Sequence, residues 1–276
     1  MENPSYNIKD VYKEIITIDS YVGVTKQGTG LVEYISGPVK SCCPYSKASE
    51  SNYCNDYFEM ARSGVIYFLK TLKDKKGLEY DKLAEYAILL LSYKLKQHSQ
   101  YSGTKLNDFY TKYIVNNNDC SKNIKVNGLT CKEIIDKKKD LMNMNINEIS
   151  KFNEAFSILV LLYNEIKNNK LDCTKYPNYP KYFANKFEEL NNDSNINGNT
   201  SYSKLLSTLS DDYNNLKNIY DSNNSCNFPP LPKVKTPPSK LIPALSTFSV
   251  IPVFLGIAYK TIYKKKIKKS KEEIET

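Results

Sequence analysis

One uncharged stretch near the C-terminus constrains this chain more than any other feature. Leu241 to Tyr259 holds nineteen residues without a charged side chain, between Lys240 and Lys260. At about 1.5 Å per residue, a helix of this length spans roughly 28 Å, close to the hydrocarbon thickness of a bilayer. We therefore predict one transmembrane helix, residues 241–259, with a lipid bilayer as its partner. Its anchoring side chains are Leu241, Ile242, Leu245, Phe248, Val250, Ile251, Val253, Phe254, Leu255 and Ile257.

The two sides of this segment carry unequal numbers of lysines. Seven follow it within seventeen residues, and three precede it between residues 233 and 240. The positive-inside rule puts the lysine-rich tail, residues 260–276, in the cytosol and the large N-terminal domain outside. The lysines of the tail are Lys260, Lys264, Lys265, Lys266, Lys268, Lys269 and Lys271.

Two alternatives to this topology stay open. The first twenty residues hold no continuous apolar run of signal-peptide length, so the C-terminal segment must act as both signal and anchor. A tail-anchored protein with a cytosolic domain is the competing arrangement. A buried C-terminal helix fits less well, because lysines flank the segment and prolines lead into it. Residues 228–240, which begin FPPLPKVKTPP, predict an extended spacer that holds the domain off the bilayer.

The net charge of +9 does not indicate nucleic-acid binding. The tail and the spacer account for most of it, which leaves only +2 on residues 1–230. A domain that binds phosphate backbones needs a basic face of its own, because neutralised phosphates supply the affinity. We therefore expect no nucleic-acid partner.

Apolar residues at spacings of three and four predict a mainly α fold, a helical bundle with disulfide-stapled loops. Residues 1–52 are expected to be an irregular, cysteine-containing region with one or two short helices, and residues 53–227 the helical domain. Thr130 and Glu133 form a capping-box pattern. No period-two stretch predicts a hairpin, and residues 191–199 are expected to be a polar loop. Helices are predicted over residues 56–73, 78–97, 104–115, 129–142, 147–169, 182–190 and 201–220.

Seven cysteines lie before the spacer, and the predicted anchor and tail have none. In an exported protein this number favours two or three disulfides, with one cysteine left over. Cys120 and Cys131 flank a turn and are a plausible local pair, while the other pairings stay open. If the domain is cytosolic, these residues are ordinary thiols. The candidates are Cys42, Cys43, Cys54, Cys120, Cys131, Cys173 and Cys226.

The residues that support catalysis or cofactor binding are scarce, so we expect no enzyme, cofactor or metal site. His98 is the one histidine, and it is expected to be a solvated residue or a helix-end cation. Gly28-Thr29-Gly30 lacks the rest of a phosphate loop and is expected to be a turn. The pairs Glu188-Glu189 and Asp211-Asp212 are expected on exposed helix faces. A zinc site is weakly supported, because no pair of cysteines is separated by two residues.

Several long blocks resemble the pir (Plasmodium interspersed repeat) superfamily, in particular members from rodent malaria parasites. The resemblance runs from about Tyr53 to Pro232. The blocks that carry it are AEYAILLLSYKL (84–95), KLNDFYTKYI (105–114), CKEIIDKKKDLM (131–142), NEISKFNEAFSILVLLYNEI (147–166), SYSKLLSTLSDDYNNLKNIY (201–220) and FPPLP (228–232).

This resemblance implies a helical ectodomain with disulfides, one C-terminal membrane helix and a short cytosolic tail. It also implies a variant antigen at the surface of the parasite or its vacuole, or exported to the infected red cell, that acts by display and immune evasion. A host protein or antibody is the implied partner. A structural or trafficking role in exported membranes, with the domain facing the cytoplasm, is the alternative. The tail lacks the aromatic and Arg-rich sequence of many rodent members, so no tail contact is carried over.

Overall fold

The helices of this fold form where apolar residues recur at helical spacing. The computed structural model describes residues 7–47, 50–115, 129–167, 170–219 and 226–237. In chain order the described elements are α1 (Ile8–Tyr21), β1 (Val22–Gln27), β2 (Gly30–Ile35), a 3₁₀ turn (Gly37–Cys42), β3 (Tyr45–Lys47), β4 (Glu50–Tyr53), α2 (Tyr57–Leu72), α3 (Tyr80–Gln97), α4 (Leu106–Phe109) with a π-helical continuation (Tyr110–Val115), α5 (Cys131–Asp136), a 3₁₀ turn (Lys139–Asn143), α6 (Ile146–Asn164), β5 (Ile166–Lys167), β6 (Lys170–Leu171), α7 (Tyr179–Asn192), α8 (Ser194–Asn197) and α9 (Thr200–Ile219).

Helices α3 and α6 lie at the centre, as their apolar sequences predict. Leu90 on α3 is completely buried, and so are Phe156 and Leu159 on α6. Helix α3 packs against α2 and α6, α1 packs against α2 and α6, and α7 and α9 cover the other side of α6. A helix that is apolar on most sides needs neighbours around it, and this arrangement supplies them. The helical-bundle prediction is thus confirmed.

Side-chain caps define where several helices begin. Asp56 accepts a hydrogen bond from the backbone N–H of Glu59 at 2.8 Å, which starts α2. The capping box predicted for Thr130 and Glu133 is confirmed at the start of α5. Asn145 and Glu148 form a second capping box at α6 that the sequence reading did not identify. These polar side chains satisfy backbone N–H groups that would otherwise lack a partner.

The prediction of an irregular N-terminal region is wrong for the described residues. Residues Ile8–Tyr21 form α1, a helix of 14 residues, with Val11, Ile15 and Ile18 on its buried face. Their spacing of three and four already carried a helical signal. The chain then turns into an antiparallel hairpin that pairs Val22 with Ile35 and Gln27 with Gly30.

The expectation that no hairpin would occur is therefore also wrong. Gly28-Thr29 forms the turn between β1 and β2, as expected, and Gly28 has φ near +60°, a conformation that glycine adopts at little cost. Two further short hairpins are present, β3–β4 and β5–β6. The β5–β6 hairpin begins just after α6, and α6 therefore ends at Asn164, five residues before its predicted end at residue 169. The predicted polar loop also differs, since it contains α8 and the buried Ile196.

Residues 226–237, which we call the C-terminal strap, form no helix or strand and lie against the helical domain. Phe228 is buried against the Tyr213 ring at 5.1 Å between ring centroids, and the Tyr213 hydroxyl donates to the carbonyl oxygen of Pro229 at 2.8 Å. Leu231 and Val234 also pack on the core. The predicted spacer is therefore corrected in this part, because these residues belong to the domain.

The chain divides after the strap into a unit of residues 1–237 and a unit of residues 238–276. The predicted membrane segment and the lysine-rich tail lie outside the described residues. Within the described ranges, the structure contains no helix long and apolar enough to cross a membrane.

Candidate recognition surface and its supporting sites

One disulfide fixes the segment between the N-terminal hairpin and α2. Cys43 and Cys54 are bonded, and β3 and β4 lie within the loop that this bond closes. The rings of Tyr45 and Tyr53 pack at 5.4 Å beside it. Cys54 Sγ also lies 3.3 Å from Ser63 Oγ on α2, so the hairpin is attached to the core.

A second disulfide joins the residues just before α7 to the start of the strap. Cys173 is completely buried and is bonded to Cys226, 53 residues further along the chain. Two of the predicted two or three disulfides are thus present among the described residues.

The remaining cysteines differ in their surroundings. Cys42 is buried and forms no disulfide within the described residues. Burial raises the pKa of its thiol, and Lys70, whose Nζ lies 3.8 Å from Sγ, opposes this shift. Cys131 is buried at the start of α5. Its predicted partner Cys120 lies outside the described residues, so that pair stays a prediction.

His98 is buried, and the expectation of a solvated side chain is wrong. It is the residue at which α3 ends, so its place at a helix end is confirmed. Its Nδ1 accepts the backbone N–H of Gln100 at 3.2 Å, and its Nε2 lies 3.0 Å from Glu33 Oε1. The ring packs between Tyr57 and Tyr101. His98 therefore attaches the β1–β2 hairpin to α3.

Asp212 is also buried, although the pair Asp211-Asp212 was expected on an exposed face. The hydroxyls of Tyr12 and Tyr86 donate to its two carboxyl oxygens at 2.8 and 2.7 Å. Burial raises the pKa of Asp212 to about 7, and the two tyrosine hydrogen bonds oppose this shift. Tyr163 donates to the Asp212 carbonyl oxygen at 2.9 Å. Asp212 thus joins α9 to α1, α3 and α6. Glu188 and Glu189 are exposed, as expected.

A spacing signal could have identified Asp212 as buried. Leu205, Leu209, Asp212 and Leu216 follow one another at intervals of four, three and four, which places Asp212 on the buried stripe of α9. Lys94 shows the same signal on α3, four residues after Leu90, and it too is buried. Its Nζ contacts an Asp19 carboxyl oxygen and lies 3.0 Å from Gln97 Oε1.

The described surface exposes a few large apolar side chains that could contact a partner. Leu31 and Val32 near the tip of the β1–β2 hairpin are 47% and 42% exposed. Tyr182 on α7 is 49% exposed, and with Tyr179, Ile158 and Leu161 it lines a groove of about 470 Å³ between α6 and α7. We call this the tyrosine groove. Aromatic side chains at a surface are typical of protein interfaces.

The described ranges provide no group of three or more metal-ligating side chains. The polar clusters around His98, Asp212 and Lys94 are each filled by hydrogen bonds within the protein. These hydrogen bonds hold elements of the fold together.

The comparisons with known proteins agree with this arrangement. A family model described as "Plasmodium variant antigen protein Cir/Yir/Bir" matches residues 9–260. The chain belongs to this family. The match extends through the helical domain and the strap and covers the predicted membrane segment. A search of curated proteins found no match.

A solved structure, "Structure of a Plasmodium PIR protein ectodomain", is similar to this variant antigen protein. The sequence identity is 32% and the TM-score is 0.58. The alignment covers 82% of this chain and 100% of the other. The resemblance to the pir superfamily is thereby confirmed.

Proposed function

We propose that this variant antigen is an anchored display protein. Its disulfide-bonded helical domain faces outward from the infected red cell membrane, or from the parasite or vacuolar surface. The C-terminal segment and its lysines hold the domain there. Host proteins or antibodies are its partners, and it acts by binding and immune evasion without catalysis. The match to a variant antigen family over residues 9–260 is the observation that carries this proposal.

The two disulfides support the outward topology. Disulfides form and persist in exported compartments and are rare in the cytosol, where thiols are kept reduced. Cys43–Cys54 and Cys173–Cys226 both attach loop segments to the helical core. The arrangement therefore favours display over the alternative, a structural or trafficking role with the domain in a cytoplasm.

Two described surfaces suit the binding role. The β1–β2 hairpin carries Leu31 and Val32 in its exposed part, so substitutions there should leave the core intact. The tyrosine groove offers aromatic side chains, which give large contact areas at small cost in conformational entropy. These are the surfaces at which we expect partners to bind.

Protease treatment of intact infected cells separates display from the alternative. In the display topology, an external protease removes the domain, and an antibody to the C-terminal tail then detects only a short membrane-bound fragment. Permeabilised cells provide the control that the protease can cut the tail as well. Full protection of the domain in intact cells whose red cell membrane carries the protein would favour the cytoplasmic role and contradict display at that membrane.

A further inference from the structure

The C-terminal strap is held firmly enough to fix where the chain leaves the domain. Asn191, buried at the end of α7, donates from Nδ2 to the Lys233 carbonyl oxygen at 2.9 Å. Its Oδ1 accepts the backbone N–H of Lys235 at 2.8 Å. At the other end of the strap, the Cys173–Cys226 disulfide and the buried Phe228 hold the backbone. The exit point is therefore close to Pro237.

Very little chain separates this exit point from the predicted membrane segment. Only Pro238, Ser239 and Lys240 lie between Pro237 and Leu241. Four residue steps reach at most about 14 Å when fully extended. The headgroup layer occupies roughly 5–7 Å of each side of a bilayer. The tether is therefore too short for the surface around Pro237 to move far from the headgroups.

The surface around the exit point has the chemistry of a headgroup contact. A groove of about 530 Å³ lies between α9 and the strap, and we call it the strap groove. Lys204 and Lys233 line it, and its lining contains no carboxylate. Hydroxyl groups line its α9 side, and the strap contributes apolar residues. These lining residues are Thr200, Ser203, Ser207, Ser210, Leu231 and Val234.

We propose that the strap groove lies against the phospholipid headgroups of the bilayer that anchors the chain. Lys204 and Lys233 meet lipid phosphates, the hydroxyls of Thr200, Ser207 and Ser210 supply hydrogen bonds, and the domain takes up a defined orientation on the membrane. This inference rests on the proposed function, because it requires the C-terminal anchor. The spacer predicted from the prolines would instead have held the domain away from the lipid.

The test measures lysine reactivity of the full chain in phospholipid nanodiscs and in detergent micelles. A membrane-impermeant acetylating reagent is applied, and mass spectrometry follows each lysine. We expect Lys204 and Lys233 to react at least fivefold more slowly in nanodiscs than in micelles. Lys26, exposed near the tip of β1, is the internal control and should react equally in both.

A matched variant carries twelve Gly and Ser residues inserted between Pro237 and Pro238. A flexible linker of this length has an average end-to-end distance of about 20 Å, so the domain can leave the bilayer while the anchor stays in it. The protection of Lys204 and Lys233 should then fall to less than twofold. Continued full protection in this variant would overturn the proposal.

The other outcomes are equally distinct. A chain that enters the nanodiscs but shows no protection of these lysines overturns the groove contact and leaves the anchor intact. A chain that fails to enter nanodiscs contradicts the anchor itself, and the groove contact with it. If both lysines react slowly relative to Lys26 in micelles as well as in nanodiscs, lipid is excluded as the cause of their protection and the proposal fails.

Discussion

The central helices and the C-terminal strap are held by different forces. Around α3 and α6, apolar side chains such as Leu90, Phe156 and Leu159 are completely buried, so ordinary packing stabilises them. The strap depends on one disulfide, the two hydrogen bonds of Asn191, the hydrogen bond from Tyr213 to Pro229 and a few apolar contacts. The core should therefore resist changes of redox state, while the strap should respond to them. Apolar packing in the core maintains the fold, whereas the disulfide and hydrogen bonds of the strap fix the point at which the chain leaves the domain.

The largest expected effect is in the core. Phe156→Ala removes a completely buried ring that packs near Tyr12 and Tyr93, and it should lower the free energy of unfolding by about 3–5 kcal/mol. Urea denaturation of the domain measures this change. Ile146→Ala, at a residue that is 42% exposed, is the matched control and should cost well under half as much. Equal losses in the two variants would contradict the central position of α6.

The next effect concerns the strap. Replacing Cys173 and Cys226 by Ser opens a loop of 53 residues, which should cost about 2–4 kcal/mol of stability. Proteolysis should then cut first within residues 226–237, before the core helices. The matched pair of substitutions at Cys43 and Cys54 opens a shorter loop, of 11 residues, and should leave the strap resistant. Early cleavage in the core would show that the strap is not a separate unit.

The third expected effect is a change of stability with pH, which arises from the buried Asp212. Burial raises the pKa of Asp212 to about 7 from 3.8, so the folded protein holds this proton more tightly than the unfolded chain. The resulting stability is fully present below about pH 4 and is lost as pH rises through 7. Across pH 5 to 7 this group should change stability on the order of 2 kcal/mol.

The matched variants for this pH effect are Asp212→Asn and Asp74→Asn. The first removes the titrating group, so its stability should fall less steeply between pH 5 and 7 than that of the parent protein. The second changes a carboxylate whose side chain is 71% exposed, and it should keep the parent slope. Denaturation at several pH values measures both. Parallel curves for the parent and Asp212→Asn would contradict the shifted pKa.

A smaller effect is expected at the exit of the strap. Asn191→Ala leaves the Lys233 carbonyl oxygen and the Lys235 N–H without their partner, which should cost about 1–2 kcal/mol. Hydrogen exchange at Lys235 should accelerate more than exchange in α3. Asn192→Ala is the control, because exposed Asn192 accepts a hydrogen bond from the Lys235 side chain and not from the strap backbone. Similar rates of hydrogen exchange at Lys235 in the two variants would contradict the proposed role of Asn191 in holding the strap.

The smallest effect on stability is expected at the hairpin tip. Leu31→Ser changes a side chain that is 47% exposed, so unfolding should shift by less than about 0.5 kcal/mol. Binding by antibodies raised against the folded domain measures recognition independently. A larger loss of stability would show that the tip is part of the core.

Periodicity predicted the helices but not the hairpins or the strap. Helix signals are local, so α2, α3, α6 and α9 could be recognised from residues a few positions apart. The prolines predicted a spacer, but residues 226–237 pack on the domain, and this docking depends on Asn191, more than forty residues from Lys233. The short hairpins carry too few residues to show a clear alternation.

The buried polar residues were missed for a similar reason. Lys94 contacts Asp19 across 75 residues, and Tyr12 reaches Asp212 across 200. No local pattern contains both partners, and a charged residue suggests exposure by itself. Lys94 and Asp212 each lie on an apolar stripe that the sequence itself shows. Their positions on these stripes predict burial, although their charges alone predict exposure. The lipid contact proposed for Lys204 and Lys233 likewise depends on a groove that only the folded chain forms.

Extraction with alkaline carbonate tests the account most directly. Membranes that carry the full chain are washed at high pH, and the pellet and supernatant are compared with those of a chain ending at Pro237. We predict that the full chain stays in the membrane pellet, because nineteen uncharged residues favour lipid over water, and that the shortened chain is released. Release of the full chain into the supernatant would contradict the membrane anchor on which display depends.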